Sequence, residues 1–148
     1  MNKQKLEVAR RAVACDHWRW MEGMRGQDRV GRWFRVTGGP DGSRTFTISY
    51  ELRLDIQVTR KAPSSMDRCT PDLDDPATLG CLLHLVRESW GDSGAYASPH
   101  PHFYDNGELL WRVHAGGKFL PIPSKGSQSE AQALVNALEA AMETEVEQ

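Results

Sequence analysis

FTISYELRLDIQV, residues 46–58, decides the fold class because apolar and polar side chains alternate along it without a break. Its even-numbered positions are aromatic or aliphatic, and its odd-numbered positions are polar or charged. A period of two is typical of a strand with one buried and one solvated face, as found in antiparallel sheets. The stretch therefore predicts one long strand from Phe46 to Val58.

Turn residues before this strand predict its partner. GGPDGS, residues 38–43, is rich in the residues that favour tight turns. It would reverse the chain between VGRWFRVT, residues 30–37, and the alternating strand. The two strands together predict a long hairpin.

A second group of turns predicts a short meander further along the chain. Asn106-Gly107 is a two-residue hairpin signal, and Gly116-Gly117 is a second tight turn. Prolines near the end of the meander predict that its last strand is an edge. The predicted strands lie near residues 99–104, 108–115 and 118–122.

Two helices are predicted on either side of the long hairpin. The first spans about residues 3–15, because apolar residues recur there at helical spacing. The second begins after Asp75, a capping residue, with Pro76 in its first turn, and it stops at Gly91. The residues predicted to face the core of this second helix are Leu79, Leu82, Leu83, Val86 and Trp90.

The last helix opens at a capping box formed by Ser127 and Glu130, which lie three residues apart. Its predicted apolar face consists of Ala131, Leu134, Val135, Leu138, Ala141 and Met142. These elements predict an α+β fold: a largely antiparallel sheet, made of a long hairpin and a short meander, packed against three helices. The length of 148 residues fits a single domain that covers residues 1–148.

Composition restricts the classes of partner. The net charge of −2 and the isoelectric point near 6.2 provide no overall attraction to nucleic acid or anionic lipid, so nucleic-acid binding would need a local patch. The charged N-terminus lacks the apolar stretch of a signal peptide, and no apolar run is long enough for a membrane span. Three irregularly spaced cysteines are typical of reduced thiols. We therefore expect a cytoplasmic protein that does not bind membranes.

Two segments resemble a known group of proteins. CDHWRWMEGM, residues 15–24, and PDLDDPATLGCLLHLVRESWGD, residues 71–92, are similar to segments of small proteins of unassigned function that recur in tailed bacteriophage and prophage genomes. Those relatives pair a Trp-Arg-Trp-Met block with an Asp-Pro-Ala-Thr-x-Gly-Cys-Leu helix. The resemblance implies a phage accessory protein that works in the cytoplasm of the bacterial host, and it carries over no catalytic residue.

The stretch HWRWMEGMRGQDRVGRW, residues 17–33, is the first candidate ligand site because tryptophans and arginines are interleaved there with glycines. Tryptophan faces stack on nucleobases, guanidinium groups hold phosphate, and glycines let the backbone approach a ligand closely. The tryptophans would stack, and Arg19, Arg25 and Arg32 would meet phosphate. The candidate residues are Trp18, Arg19, Trp20, Arg25, Arg29, Arg32 and Trp33.

A structural interpretation of the same stretch stays open. Tryptophans commonly serve the core, and Asp16, Glu22 and Asp28 could neutralise several of the arginines. The clustered carboxylates of PDLDDP, residues 71–76, likewise have two interpretations. They could hold Mg²⁺ or take part in acid/base chemistry, but beside a helix start they more often cap the helix.

His100 and His102 form the second candidate site. With a hairpin turn at Asn106-Gly107, they would share a sheet face with Tyr104, Leu109, Trp111 and Val113. Two histidines two apart on a strand can bind one metal ion or act as an acid and a base. Other potential ligands are scattered singly along the chain, so we expect no metal site and no resident cofactor.

Three hypotheses of function follow. The first is a non-enzymatic phage protein that captures a host molecule, such as a nucleotide-derived immune signal, and so antagonises an antiviral defence; a homo-oligomer is a further expectation. The second is a module that docks on a host protein through the outer face of the 75–90 helix or the acidic last helix. The third is a small hydrolase or lyase that uses His100 and His102. No phosphate-binding loop, dinucleotide fingerprint or nucleophile elbow indicates an enzyme.

Overall fold

Three helices and two antiparallel sheets make up the described part of the chain, which confirms the predicted α+β class. The computed structural model describes residues 2–39, 46–51, 57–61, 66, 68–101, 109–121 and 127–146. The chain divides into two compact units. Unit 1 consists of Met1–Val13 and Arg19–Cys81, and unit 2 of Ala14–Trp18 and Leu82–Gln148. That the whole chain acts as one domain stays a prediction.

Unit 1 contains a five-stranded sheet in the order β4-β3-β2-β1-β5, in which every neighbouring pair is antiparallel. The strands β2 and β3, inside the sheet, carry the apolar core positions. The strands are β1 Arg25–Gln27, β2 Trp33–Gly38, β3 Thr47–Glu51, β4 Gln57–Lys61 and β5 Thr70–Pro71. The turn predicted at residues 38–43 lies largely outside the described residues.

The prediction of one continuous strand over residues 46–58 was wrong. The stretch divides into β3 and β4, which pair with each other so that Tyr50 lies opposite Val58. This register places even-numbered residues opposite even-numbered ones. The period of two therefore stays in phase through the chain reversal, and alternation alone cannot reveal where one strand ends and the next begins.

One face of β2 and β3 supplies the core of unit 1. Phe34 and Val36 are buried and lie opposite Tyr50 and Ile48, which are also buried. The ring of Trp20 packs against Phe34, with 5.7 Å between the ring centroids. The other face carries Arg35 and the polar residues of β3, as the alternating pattern predicts.

The first two helices begin and end where the sequence predicts. Helix α1 spans Lys3–Ala14, and Asn2 caps it by accepting a hydrogen bond of 2.8 Å from the Lys5 amide. Helix α2 spans Pro76–Trp90 and ends at Gly91, whose φ of 61° few other residues adopt readily. The predicted stripe of α2 was only partly correct, because Leu82, Leu85 and Val86 are buried whereas Leu79, Leu83 and Trp90 are half-buried.

Unit 2 contains a three-stranded antiparallel sheet and the last helix. The sheet order is β6-β7-β8, with β8 at an edge as predicted. Helix α3 contacts β6 and β7, and the buried Val113 and Ala115 identify the sheet face that packs against it. The elements are β6 Tyr96–Pro101, β7 Leu109–Ala115, β8 Lys118–Phe119 and α3 Glu130–Val146.

The predicted sheet face of His100 in unit 2 was wrong. His100 pairs with Leu110, so it shares a face with Arg112 and His114 and not with the odd-numbered residues of β7. The predicted turn at residues 106–107 lies outside the described residues, and a register that differs by one residue exchanges the two faces of a strand.

The cap of α3 is also shifted. The hydroxyl of Ser129 accepts a hydrogen bond of 3.1 Å from the amide of Gln132, and the Gln132 side chain accepts one of 2.9 Å from the amide of Gln128. The capping pair is therefore Ser129 and Gln132 and not Ser127 and Glu130. Among the described helices, none is long and apolar enough to cross a bilayer.

Candidate functional site

A cavity of about 270 Å³ lies in unit 1 at the level of β5. Its lining comes from two places in the sequence, α1 and the segment that leads into β5. The lining residues are Arg10, Val13, Arg68, Cys69 and Thr70. The volume is close to the lower end of the range, about 300 to 1,000 Å³, that small-molecule sites occupy.

Helix α1 places the first two lining residues. Arg10 and Val13 are three residues apart, so they are neighbours on the helix surface. Val8, Ala9 and Ala12 are buried and fix the orientation of the helix. The apolar pattern therefore turns the exposed guanidinium of Arg10 toward the cavity rather than into the core.

The segment before β5 places the other three. Met66 and Cys69 are buried, and a hydrogen bond of 3.0 Å from the Cys69 amide to the Met66 carbonyl closes a turn between them. Thr70 then pairs with Gln27 of β1. Cys69 is buried, whereas Arg68 beside it is exposed at the cavity.

The two arginines of the cavity have no carboxylate partner within the described part of the chain. They belong to segments that are far apart in sequence, and the fold brings them to one cavity. A guanidinium group that is not neutralised by the protein can offer two parallel N–H donors to a phosphate or carboxylate of a ligand. The cavity is therefore suited to an anion.

Cys69 does not supply a nucleophile at neutral pH. Burial, and to a smaller extent the nearby carboxylate of Asp28, raises the pKa of its thiol to about 11. The thiolate is the reactive form of cysteine, so a thiol with this pKa is inert at pH 7. The side chain contributes shape and a weak donor to the cavity, and no covalent chemistry.

The arginines of the Trp/Arg stretch, residues 17–33, have different surroundings. Arg25 donates to Glu51 at 2.7 Å and to Asp72 at 2.5 Å, and its guanidinium lies 4.0 Å from the centroid of the Trp33 ring. The hydrogen bond to Glu51 is the main cause that raises the pKa of Arg25 above its ordinary value. The Arg25 guanidinium is thus ion-paired with two carboxylates and lies over an aromatic ring.

Arg32 is neutralised locally. Its Nε donates to the carboxylate of Asp28 at 2.8 Å, and its guanidinium lies 4.6 Å from the centroid of the Tyr50 ring. Asp28 also accepts hydrogen bonds from the amides of Val30 and Arg32. These bonds lower the pKa of Asp28 although its burial acts in the opposite direction.

A third arginine, which the sequence does not single out, binds the start of α2. Arg35 forms a two-pronged ion pair with Asp75, at 2.9 and 3.0 Å. Asp75 also accepts from the amide and hydroxyl of Thr78, and that hydroxyl accepts from the amide of Arg25. The ion pair with Arg35 is the main reason why the pKa of Asp75 falls to about 2.

The predicted acidic residues at the start of α2 are therefore structural. Asp72 pairs with Arg25, Asp74 pairs with Lys5 at 2.5 Å, and Asp75 caps α2. Within the described residues, no group of three or more histidines, cysteines, aspartates or glutamates comes together as a metal site. The ion pairs of this segment connect the start of α2 to α1 and to the sheet of unit 1.

The predicted stacking residues are dispersed. Trp20 is buried, and its ring lies so close to Gly26 that a Cβ there would be 2.8 Å from it. Trp33 is half-buried beneath Arg25, and Trp18 is half-buried in unit 2. Glycine at position 26 thus serves core packing, because only a residue without a side chain fits between β5 and this tryptophan.

The remaining predicted residues are exposed or belong to unit 2. Arg19 and Arg29 are exposed on the surface of unit 1. His100 lies on β6 of unit 2, with its Nε2 at 2.9 Å from the hydroxyl of Ser98. His102 lies outside the described residues, so the pairing of the two histidines stays a prediction.

Sequence reasoning missed Arg10 and Arg68 as a pair. The basic character of the first helix is visible in the sequence, but the sequence does not show that two arginines so far apart line one cavity. Comparison with protein-family models, with curated proteins and with solved structures found no match to the chain. The residues around the cavity are therefore the basis for the function proposed below.

Proposed function

We propose that the chain is a non-enzymatic binding protein that captures a small, phosphate-bearing ligand of the nucleotide type in the Arg10/Arg68 cavity. One observation carries the proposal. Arg10 and Arg68 converge on the cavity with no carboxylate partner among the described residues, whereas Arg25, Arg32 and Arg35 are all paired. Two guanidinium groups around one concave site match the charge and the planar donor geometry that phosphate recognition requires.

The size of the cavity limits the ligand. A volume of about 270 Å³ suits one nucleotide unit rather than a longer chain, so part of a larger ligand would extend into solvent. Thr70 adds a polar side chain, and Val13 adds an apolar surface against which a sugar or base can pack. The inert Cys69 thiol supports capture of the ligand without chemical change.

The proposal includes a biological setting. The resemblance to small phage proteins supports a protein that acts inside an infected bacterium and removes a host molecule. A nucleotide-derived signal of an antiviral defence has the phosphate chemistry that the cavity selects. In a defended host strain, expression of the wild-type chain should restore phage growth, and the Arg10→Ala/Arg68→Ala double variant should fail to do so.

Calorimetric titration with AMP, ADP and adenosine tests ligand capture directly. We expect AMP and ADP to bind and adenosine to bind more weakly, because it lacks the phosphate. Loss of a charge-assisted hydrogen bond typically costs about 1.5 to 3 kcal/mol. Arg10→Ala and Arg68→Ala should therefore each weaken AMP binding by roughly 10-fold or more.

Arg29→Ala is the matched control, since Arg29 is an exposed arginine of unit 1 that does not line the cavity. This control should leave the affinity for AMP unchanged. The proposal is wrong if the wild-type protein binds none of the phosphate compounds at millimolar concentration. It is also wrong if Arg29→Ala weakens binding while the two cavity variants do not, a result that would assign the ligand to the Trp/Arg stretch.

A further inference from the structure

The described residues that line the Arg10/Arg68 cavity form a one-sided set of polar groups. They offer two guanidinium groups, the hydroxyl of Thr70 and the thiol of Cys69, each of which can donate a hydrogen bond. None of them is a carboxylate, an amide side chain or an aromatic ring. The cavity is therefore matched to a group that carries several acceptors and negative charge.

The two guanidinium groups can act on one anion. Arg10 and Arg68 are both exposed, and they belong to two separate segments that border the same cavity. A cavity of about 270 Å³ is about as wide as an extended arginine side chain is long, so both side chains can reach its interior. Each guanidinium carries five N–H donors in a fixed fork. One anion with several free oxygens can thus bind to both.

The carboxylate of Asp28 lies near Cys69, and its charge is compensated. Asp28 contributes to the raised pKa of the Cys69 thiol, so its negative charge acts at this place. The same carboxylate is ion-paired with Arg32 at 2.8 Å and accepts hydrogen bonds from two backbone amides of its own turn. This local pairing reduces the repulsion between Asp28 and an anionic ligand. The arginines of the cavity therefore set its preference for charge.

From these groups we infer that the Arg10/Arg68 cavity selects a terminal phosphate, which is a phosphate monoester, over an internal phosphodiester. The inference rests on the proposed function, because it concerns which phosphate the same cavity takes. A monoester has three free oxygens and a charge of about −1.5 to −2 at pH 7. A diester has two free oxygens and one negative charge. Two arginines without carboxylate partners in the described chain gain more hydrogen bonds and more charge attraction from the monoester.

The same lining does not recognise the nucleobase. Proteins bind a base by stacking it on an aromatic ring or by hydrogen bonds to its edge. Trp20 is buried in the core and Trp33 lies beneath Arg25, so neither ring lines the cavity. Val13 and Thr70 offer an apolar surface and one hydroxyl, which suit a sugar. The ligand class is thus a sugar with a terminal phosphate, of which a nucleoside monophosphate is one form.

Calorimetric titration of the full-length chain with four compounds tests both parts of the inference. The compounds are AMP, UMP, ribose 5-phosphate and cyclic AMP, in which the phosphate is a diester. The first three should bind within about 3-fold of one another, because they share the terminal phosphate and the sugar. Cyclic AMP should bind at least roughly 10-fold more weakly than AMP, which corresponds to the loss of one charge-assisted hydrogen bond.

Variants of the cavity assign the preference to the arginines. Arg10→Ala and Arg68→Ala should each weaken AMP binding more than cyclic AMP binding, so the ratio of the two affinities should fall. Arg29→Ala changes an exposed arginine outside the cavity, and it should keep the ratio of the wild type. Because Arg10 and Arg68 are exposed, both alanine variants should keep the thermal unfolding curve of the wild type.

The protonation of the ligand gives a second readout. A terminal phosphate loses its second proton near about pH 6, so the affinity for AMP should rise about 5-fold from pH 5 to pH 7. Cyclic AMP has no such proton, and its affinity should stay constant. The described charged groups at the cavity do not titrate in this range. Arginine stays protonated, burial raises the pKa of the Cys69 thiol to about 11, and the pKa of Asp28 lies below 3.8.

Three results decide against the inference, and they separate it from the proposed function. Cyclic AMP that binds as tightly as AMP would overturn the preference for a terminal phosphate. AMP that binds over roughly 10-fold more tightly than UMP and ribose 5-phosphate would show that the base is recognised. In both cases the Arg10/Arg68 cavity would still hold a phosphate-bearing ligand. Binding of none of the four compounds at millimolar concentration would overturn the inference and the proposed function together.

Discussion

At the scale of single residues, the surroundings of each arginine decide its role. Arg25, Arg32 and Arg35 have carboxylate partners within 3.0 Å, and two of the three also lie over aromatic rings. Arg10 and Arg68 line a cavity instead. An ion-paired arginine has already used the N–H donors that a phosphate would need. The paired arginines therefore stabilise the fold, whereas the two arginines of the cavity keep donors for a ligand.

Replacement of Arg25 tests the structural role of the Trp/Arg stretch. Arg25→Ala leaves Glu51 and Asp72 without their shared partner, and it uncovers the Trp33 ring. We expect the free energy of unfolding in urea to fall by about 1 to 3 kcal/mol, with no change in the affinity for AMP. Arg29→Ala should change stability by less than about 0.5 kcal/mol. A loss of affinity in Arg25→Ala at unchanged stability would contradict this assignment.

The Asp75 carboxylate makes stability depend on pH. Its pKa falls from 3.8 to about 2 in the folded chain, chiefly because of the bond to Arg35. A lowered folded pKa stabilises the fold above the ordinary value of 3.8, and this contribution disappears as pH falls through about 2. Because solvent screens the half-exposed Arg35, we expect a contribution of about 1 kcal/mol at pH 6.

Asp75→Asn isolates that charge, because asparagine is an equally good helix cap. Urea unfolding at a series of pH values measures the free energy of unfolding of both proteins. At pH 6 the variant should be less stable than the wild type, and this difference in free energy should shrink between about pH 4 and pH 2. Asp74→Asn removes only an exposed pair with Lys5, so it should have little effect at any pH. A difference for Asp75→Asn that does not change with pH would show that the charge is not the cause.

At the scale of elements, local signals predicted helices well and strands less well. The limits of α1 and α2 follow from caps and glycine, which are encoded within a few residues. The alternation of residues 46–58 predicted β structure but hid the reversal between β3 and β4. Strand β1 lies in a glycine-rich stretch with no pattern of its own, and it forms because its neighbours β2 and β5 supply hydrogen bonds.

The cap of α3 provides a test at this scale. The structure assigns the cap to Ser129, whereas the sequence pattern favours Ser127. Ser129→Ala should lower the free energy of unfolding by about 1 kcal/mol. Ser129→Asp should keep the wild-type free energy of unfolding, because aspartate is as good a helix cap as serine. Chemical denaturation of both variants measures the effect. Equal losses in the two variants would argue against a capping role for Ser129.

At the scale of the whole molecule, the fold class could be predicted, but the cavity could not. The spacing of apolar residues and the helix-capping residues reflect local structure. They therefore predicted the three helices and the antiparallel pairing of the strands. The partners of Arg25 and Arg35 lie between 26 and 47 residues away in the sequence. Those distant contacts decide which arginines are neutralised and which are left to bind a ligand. A local sequence pattern does not show which residues will form such contacts.

The central claim is that the Arg10/Arg68 cavity holds a phosphate-bearing ligand, and nuclear magnetic resonance of the ¹⁵N-labelled chain titrated with AMP tests it most directly. The account predicts that the largest shift changes fall on the Nε–Hε signals of Arg10 and Arg68 and on the backbone amides of Cys69 and Thr70. Changes centred on Trp18, Arg29 and Trp33, or no change at saturating AMP, would contradict it.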